Sequence, residues 1–487
     1  MRGNGVTASA VSWPGRKVGL AGAGLVVFAA ILFFAFVYPQ TPGRADKPSA
    51  ELIPQFRLWA WMEDGLPAPD SRQAVSLSIG LGTVVIFVAY TTALFAVWGR
   101  AFDRRTLLLL GAVPVLCLFI SALAFPNVNS DIYSYIASGR VAAVHHANPY
   151  THPPSDFPGD PLFPYVSDQY SGNVPSKLPA WMLLNVALAW LGGEDPVTIL
   201  LVYRFALASL AVVCVTLIGL ALREAAPRHT AAGVVAFGWN PILLVYGASK
   251  TDTMMVFLFI LSALLVVRSG RMLAAATLTL SALVKLITLP LLALYVLGEA
   301  RLQMWRRVAL VLLVACSVVL LAYLPFTRSP ALLLDHLSLL TAVESAEGVN
   351  RSDESLAGTL YRTALALGLI ALLLWQVVRQ DGSVKRLFLG WAILAVYFSV
   401  FLTTHALAWY QLLPLAAVAL VPSGRLAVLI VASTFASFAL GIWHSASSQA
   451  FPLGDLFNLP QTVVYLAPVA FAAMLVALLA IKTRWAR

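Results

Sequence analysis

The stretch "TLLLLGAVPVLCLFISALAF" (residues 106–125) is followed within five residues by "SDIYSYIASGRVAAVHHANPYTHPP" (residues 130–154). The first carries no charge over twenty residues, the length an α-helix needs to cross the hydrocarbon of a bilayer. The second carries an aspartate, four arginine or histidine side chains, three tyrosines and three prolines. Such a segment, set directly on the end of a spanning run, belongs at the membrane–water interface. This junction decides how the rest of the chain reads.

Composition extends the reading outward. Of 487 residues, 60% are hydrophobic and 11% charged, with mean hydropathy +0.83. A charged fraction that low cannot cover the surface of a soluble protein of this size. The chain is therefore expected to be an all-α polytopic membrane protein. Fourteen apolar runs reach or approach spanning length: 18–38, 75–98, 106–125, 179–192, 197–222, 231–247, 253–267, 272–298, 308–325, 356–378, 387–403, 407–421, 426–443 and 462–481. The run 179–192 is short and reads either as a span or as a surface or re-entrant helix. The first run follows Arg2, Arg16 and Lys17 and exceeds the roughly 7–15 apolar residues of a signal-peptide core, so it reads as an uncleaved helix. Cys117, Cys214 and Cys316 all fall inside apolar runs, where they are expected to be inert.

Charge sets the orientation. With the N-terminus inside, fourteen spans put 17 Lys/Arg against 6 Asp/Glu on the inner side and 12 against 16 on the outer. Basic residues gather on the cytoplasmic side of membrane proteins, so the net charge of +10 implies lipid rather than nucleic acid. Both termini are expected in the cytoplasm. The turn 193–196, with Glu194 and Asp195, disagrees with its inner placement. Three sizeable polar segments remain outside: 39–74, 126–178 and 326–355. The whole chain reads as one membrane domain, with N-terminal helices over 18–98, a core module over 106–355 and C-terminal helices over 356–487.

The opening segment predicts a short interfacial helix over 131–145, with Ser130 as N-cap and Asp131 in its first turn. Helical spacing puts Asp131, Tyr135 and Ser138 on one face. Asp131, Arg140, His145, His146, Asn148, Tyr150, His152 and Lys177 all fall in one loop. Aromatic and amide side chains suit carbohydrate, held by stacking and directed hydrogen bonds. Arginine and lysine suit phosphate oxygens. The plain alternative is that Asp131 only complements the helix dipole.

Here a resemblance enters. "DIYSYIASGR" (131–140), "NPY" (148–150), Asp160-Pro161 and "PSKLPAWMLL" (175–184) resemble the first external loop of C-type glycosyltransferases (GT-C). The likeness extends to "WNPILLVYGASKTDTMM" (239–255), "LSALVKLITLPLL" (280–292) and "TTHALAWYQLLPL" (403–415), over roughly 105–420 in all. It is nearest to polyprenyl-phosphate-mannose-dependent α-mannosyltransferases of lipomannan-type glycan synthesis. The resemblance implies a GT-C-like bundle of about 13–14 helices with two external loops carrying interfacial helices. It also implies that Asp131 is the catalytic base. Related sequences carry a Gly-His-Asn-Asp-like tetrad where this chain has Ser249-Lys250-Thr251-Asp252. The helix count places that tetrad on the cytoplasmic side, so Asp252 reads as a helix cap.

The implied reaction is transfer of a hexose, mannose by the resemblance, to a glycan or glycolipid acceptor. The outer face of a cell membrane has no nucleotide sugars, so the donor there must be lipid-borne, and a polyprenyl phosphate fits. One-step displacement with Asp131 as base would invert the anomeric configuration. Arg140, Lys177, Lys285, Arg351 and His336 are the candidates for the donor phosphate and lipid. Lys285 lies near the middle of an apolar run, where a cation needs a partner or a wet cavity. Tyr135, His145, His146, Asn148, Tyr150, His405, Trp409, Tyr410 and Gln411 are the candidates for sugar and acceptor, an aromatic belt being the plain alternative for the last four. Arg204 reads as structural. No cofactor is expected. A divalent ion would need Asp131, His145, His146 and Asp156 to converge, and their spacing matches no defined site. The rival reading is a flippase or transporter of a lipid-linked sugar, but such proteins usually keep their key charges near the midplane.

Overall fold

The computed structural model describes residues 14–37, 72–123, 131–327, 356–398, 408–421 and 423–447. Within them every regular element is a helix. Three long apolar helices come first: α1 (Pro14–Leu32), α2 (Arg72–Val97) and α3 (Arg104–Leu123). The short α4 (Asp131–Ala143) then packs along α5 (Pro179–Gly192), and the 30-residue α6 (Pro196–Ala225) crosses the molecule. Five segments are long and apolar enough to span a bilayer: 18–35, 80–97, 104–123, 196–225 and 305–323. Leu108, Leu109 and Leu116 on α3 point outward, as lipid-facing side chains do. Thus the chain is an all-α polytopic membrane protein.

Two apolar runs that read as single spans are broken. The run 231–247 forms α7 (Thr230–Gly238) and α8 (Pro241–Tyr246). Pro241 cannot donate an N–H and forces Asn240 into extended geometry (φ −66°, ψ 128°); the Asn240 side chain then caps α8 by accepting from the Ile242 N–H. After α9 (Asp252–Val267), the run 272–298 forms α10 (Arg271–Ala282) and α11 (Leu289–Arg301). These two make a hairpin, because Arg271 at the start of α10 pairs with Glu299 at the end of α11. The backbone turns at Lys285 (φ −156°, ψ 129°), and Pro290 sits in the first turn of α11.

The chain continues through α12 (Trp305–Tyr323), α13 (Leu356–Val378), α14 (Val384–Tyr397), α15 (Leu412–Ala419) and α16 (Gly424–Ser447). The α12 and α13 helices expose rows of leucine, including Leu313, Leu320, Leu360 and Leu367. Cys117 and Cys214 are buried, whereas Cys316 on α12 is exposed on that apolar face.

These breaks correct the topology. The α5 helix has 14 residues, about 21 Å at 1.5 Å per residue, too short for roughly 30 Å of hydrocarbon. Its two ends touch the same region: the Ala180 N–H donates to the Leu283 carbonyl at the hairpin tip, and the Gly193 carbonyl accepts from Arg140 of α4. At the far end, side chains tie six turns together. Trp98 meets His229, Arg268 pairs with Glu224, Arg271 with Glu299, and Gly382 and Gly424 lie against Leu302 and Trp98. Those turns (98–105, 223–230, 268–271, 299–307, 379–386, 421–425) hold 14 Lys/Arg and 4 Asp/Glu. The opposite end (131–178, 193–195, 247–252, 283–288, 324–327, 408–411) holds 4 and 7. Residues 248–252 are at this second end, with Asp131, and not on the side where fourteen spans put them.

Gly139 lets α4 and α5 touch. A Cβ there would stand 2.8 Å from both the Asn185 carbonyl oxygen and the Tyr203 hydroxyl, which donates to that same carbonyl. Neither can yield without losing a buried hydrogen bond. Gly139→Ala is expected to cost about 1–3 kcal/mol, read as a lowered unfolding midpoint in detergent. An unchanged midpoint would show that the contact is slack.

Candidate active site

Four elements bring charged side chains together at the acidic end. Asp131 is the first residue of α4, and Lys250 lies in the link between α8 and α9. Asp252 is the first residue of α9, and Lys285 forms the tip of the α10–α11 hairpin. Lys250 Nζ donates to Asp131 Oδ2 at 2.8 Å, and Lys285 Nζ donates to Asp252 Oδ1 at 3.2 Å. Asp252 also acts electrostatically on Lys250, so the charge of one carboxylate is felt by both cations. Two helix N-termini thereby face one place, which favours negative charge there.

A 3-10 turn, Ala408–Gln411, covers the cluster with two adjacent rings. Lys250 Nζ lies 3.6 Å from the centre of the Trp409 ring, and Lys285 Nζ lies 3.8 Å from that of Tyr410. Each ammonium is thus held between a carboxylate and an aromatic face, a favourable cation–π geometry. Lys250 is 1% exposed and Lys285 20%. The Tyr135 and Tyr170 hydroxyls each lie 3.4 Å from an Asp131 oxygen, and Lys177 lies 6.0 Å from the Tyr135 ring.

Electrostatics separates the two members of the first pair. Burial pushes the Asp131 carboxyl up, but Lys250, Lys177 and the Tyr170 hydroxyl outweigh it and hold the group below its ordinary value. Burial pushes the Lys250 ammonium down to about 8, against the pull of Asp131 and Asp252. Asp131 is therefore ionised across the physiological range, and Lys250 is poised near its edge.

The other sequence-predicted residues are placed as follows. Arg140 is 1% exposed and committed elsewhere: Nε to both oxygens of Asp160, Nη1 to the Gly193 carbonyl and Nη2 to Glu194. It lies nine residues from Asp131, roughly 13 Å along the helix. His145 Nε2 pairs with Asp160 Oδ2 at 2.8 Å and its ring stacks on Phe157. His146 is exposed, with φ 52°. Asn148 donates to the Phe326 carbonyl, and Tyr150 is buried with its hydroxyl on the Lys177 carbonyl. These residues build the loop, and among the described candidates Asp131, Tyr135, Lys177, Lys285, Trp409 and Tyr410 share the cluster. Gln411 is buried, its Oε1 accepting from the Ser433 hydroxyl. Arg204 is buried on α6, and its guanidinium donates to the Ser121 carbonyl. Ser130, His336, Arg351 and His405 lie outside the described residues.

The four side chains weighed from sequence for a divalent ion lie apart, three of them with other partners. His145 pairs with Asp160 and His152 with Asp156 (3.1 Å), while the Asp131 Oδ2 atom receives Lys250. Among the described residues no three His, Cys, Asp or Glu side chains come close enough to hold an ion.

Lys250 and Asp252, which the sequence reading left on the cytoplasmic side with Asp252 as a helix cap, join the cluster. The available signal was four successive polar residues, Ser249 to Asp252, just past the Asn240-Pro241 helix break. The helix count overrode it.

Residues 16–301 match the family model described as "Alpha-(1->6)-mannopyranosyltransferase, N-terminal domain". The match covers more than half of the chain and includes Asp131, Lys250, Asp252 and Lys285, while Trp409 and Tyr410 lie beyond it. No curated protein and no solved structure matches the chain.

Proposed function

Because the chain belongs to the alpha-(1->6)-mannopyranosyltransferase family, and so is a membrane glycosyltransferase, we propose that it takes mannose from a polyprenyl-phosphate-linked donor on the extracytoplasmic face. The observation that carries this reading is the cluster itself. A carboxylate within hydrogen-bond reach of tyrosines, two aromatic-backed lysines and two helix N-termini gather at the acidic end of the bundle. The basic turns at the other end support a cytoplasmic position there, and hence an outward-facing site. Outside the membrane the donor is lipid-borne. Its phosphate suits the interface between apolar helices and water.

The chemistry follows from which groups are charged. The acceptor hydroxyl attacks the anomeric carbon as Asp131 accepts its proton, and the bond from that carbon to the phosphate oxygen breaks. The electron pair leaves with the polyprenyl phosphate. A β-linked donor then gives an α-linked product by inversion. The donor phosphodiester carries one negative charge and departs with more, so the cations interact more strongly with the transition state than with the bound donor. Lys250 and Lys285 supply that difference, with Lys177 nearby. Aromatic and tyrosine side chains at the cluster suit the sugar rings.

Purified protein in nanodiscs, given radiolabelled polyprenyl-phosphate mannose and a mannoside acceptor, is expected to form an α-(1→6)-linked product. GDP-mannose should not substitute. Lys285→Ala is expected to raise the donor KM about ten- to hundredfold, the loss of one charge-assisted contact. Transfer from GDP-mannose alone would overturn the donor assignment.

A further inference from the structure

We propose that Lys250 couples donor binding to activation of the base: its ammonium, paired with Asp131 at 2.8 Å, passes to the donor phosphate and releases the Asp131 carboxylate for proton transfer. This rests on the function proposed above and goes further in assigning an order of events. A carboxylate that already holds an ammonium at 2.8 Å is a poor proton acceptor, since the ion pair stabilises its charged form. While that pair persists, Asp131 is not a strong general base. A donor phosphate offers Lys250 a second anion of like geometry, and Lys250 needs only to pivot from Asp131 while its contact with the Trp409 ring persists.

The second pair makes the exchange feasible. Lys285 is held by Asp252 and Tyr410 as Lys250 is held by Asp131 and Trp409. Both rings come from one turn. A phosphate entering against that turn therefore meets two ammonium groups, and Asp252 stays behind to balance part of their charge. Asp131 is faced by Lys250, Lys177, Tyr135 and Tyr170, and Lys250 by Asp131, Asp252 and Lys177. Among the described residues Lys250 and Tyr135 both bond to the base and interact with the second carboxylate, and of the two it is Lys250 that carries the positive charge a phosphate attracts. No oxidant or further reactant is needed: the hydroxyl proton ends on Asp131, and the leaving phosphate keeps the electron pair of the broken bond.

The test is the pH dependence of transfer from a short-chain prenyl-phosphate mannose by the full-length protein in nanodiscs. The profile of kcat/KM for the donor reports the free enzyme, and that of kcat reports the complex. With Lys250 leaving on binding, the acid limb of kcat should lie about 1–3 pH units above that of kcat/KM. In Lys250→Met the two acid limbs should coincide at the higher position. In Lys250→Arg, which keeps its charge at any working pH, the separation should persist while the alkaline fall near pH 8 disappears. Coincident acid limbs in the wild type, with transfer intact, would overturn the exchange but leave the proposed function standing. An alkaline fall unchanged in Lys250→Arg would do the same. Absence of any transfer from the lipid donor would instead remove the function on which the exchange rests.

Discussion

Asp131→Asn is expected to lower kcat for mannosyl transfer by about 10²–10⁴-fold, the usual contribution of a positioned general base, while leaving the protein folded. The asparagine keeps an oxygen for the Lys250 ammonium to donate to, and Asp252 remains beside that lysine. Donor affinity should hold or rise, because Lys250 no longer has to leave an ion pair to reach the phosphate. Asp131→Ala is a harsher change. It strands a buried ammonium that is 1% exposed, and the lysine is then expected to shed its proton rather than stay charged and unpaired. The comparison separates chemistry from packing: full turnover in the asparagine variant would remove Asp131 from the role, whatever the alanine variant does.

The placement of Asp131 beside Tyr135 was readable from sequence because those cues are local. Asp131 follows a spanning run, opens a helix and precedes Tyr135 by one turn, and the structure keeps that spacing with the hydroxyl 3.4 Å from the carboxylate. Trp409 and Tyr410 were readable for a similar reason, as adjacent aromatics at the start of an apolar run. Lys285 was singled out by its cost in an apolar run, and the structure supplies the partner in Asp252. Lys250 was hidden by a topological argument that was wrong in two places. Counting 179–192 as a span and 272–298 as one span, not a hairpin, introduced two errors that cancel for everything after Glu299. Repairing only the first makes the basic turn 299–307 point outward, against the positive-inside rule. Periodicity cannot reveal the hairpin, since residues 272–298 form one apolar run whose single charge is Lys285. What distinguishes it is a backbone break held by tertiary contacts: the Leu283 carbonyl on the Ala180 N–H, and Arg271 on Glu299. No run of residues carries those two facts.

The role of Arg140 shows the opposite failure, a residue whose type suggests ligand binding and whose environment assigns it to the scaffold. The structure predicts that Arg140→Met will cost about 3–5 kcal/mol, the penalty for leaving a buried ion without its partner. Asp160 is 8% exposed and takes two bonds from the Arg140 Nε and one from the Leu162 N–H, with His145 Nε2 2.8 Å from its Oδ2. Removing the guanidinium leaves that carboxylate with one titratable partner. It also frees the Gly193 carbonyl and the turn that starts α6. Lysine should rescue little, because a single ammonium cannot reproduce the fork that reaches Asp160, Gly193 and Glu194 together. Arg140→Met combined with Asp160→Asn should recover part of the loss, since the charge that suffers is gone as well. The reading is the unfolding midpoint in detergent, alongside proteolysis of the 144–178 loop. Asp131 stands at the other end of the same helix, so transfer should fall with loop order and recover with it in the double variant. A single variant that keeps the wild-type midpoint but loses donor affinity would return Arg140 to the binding site and break the assignment made from its contacts.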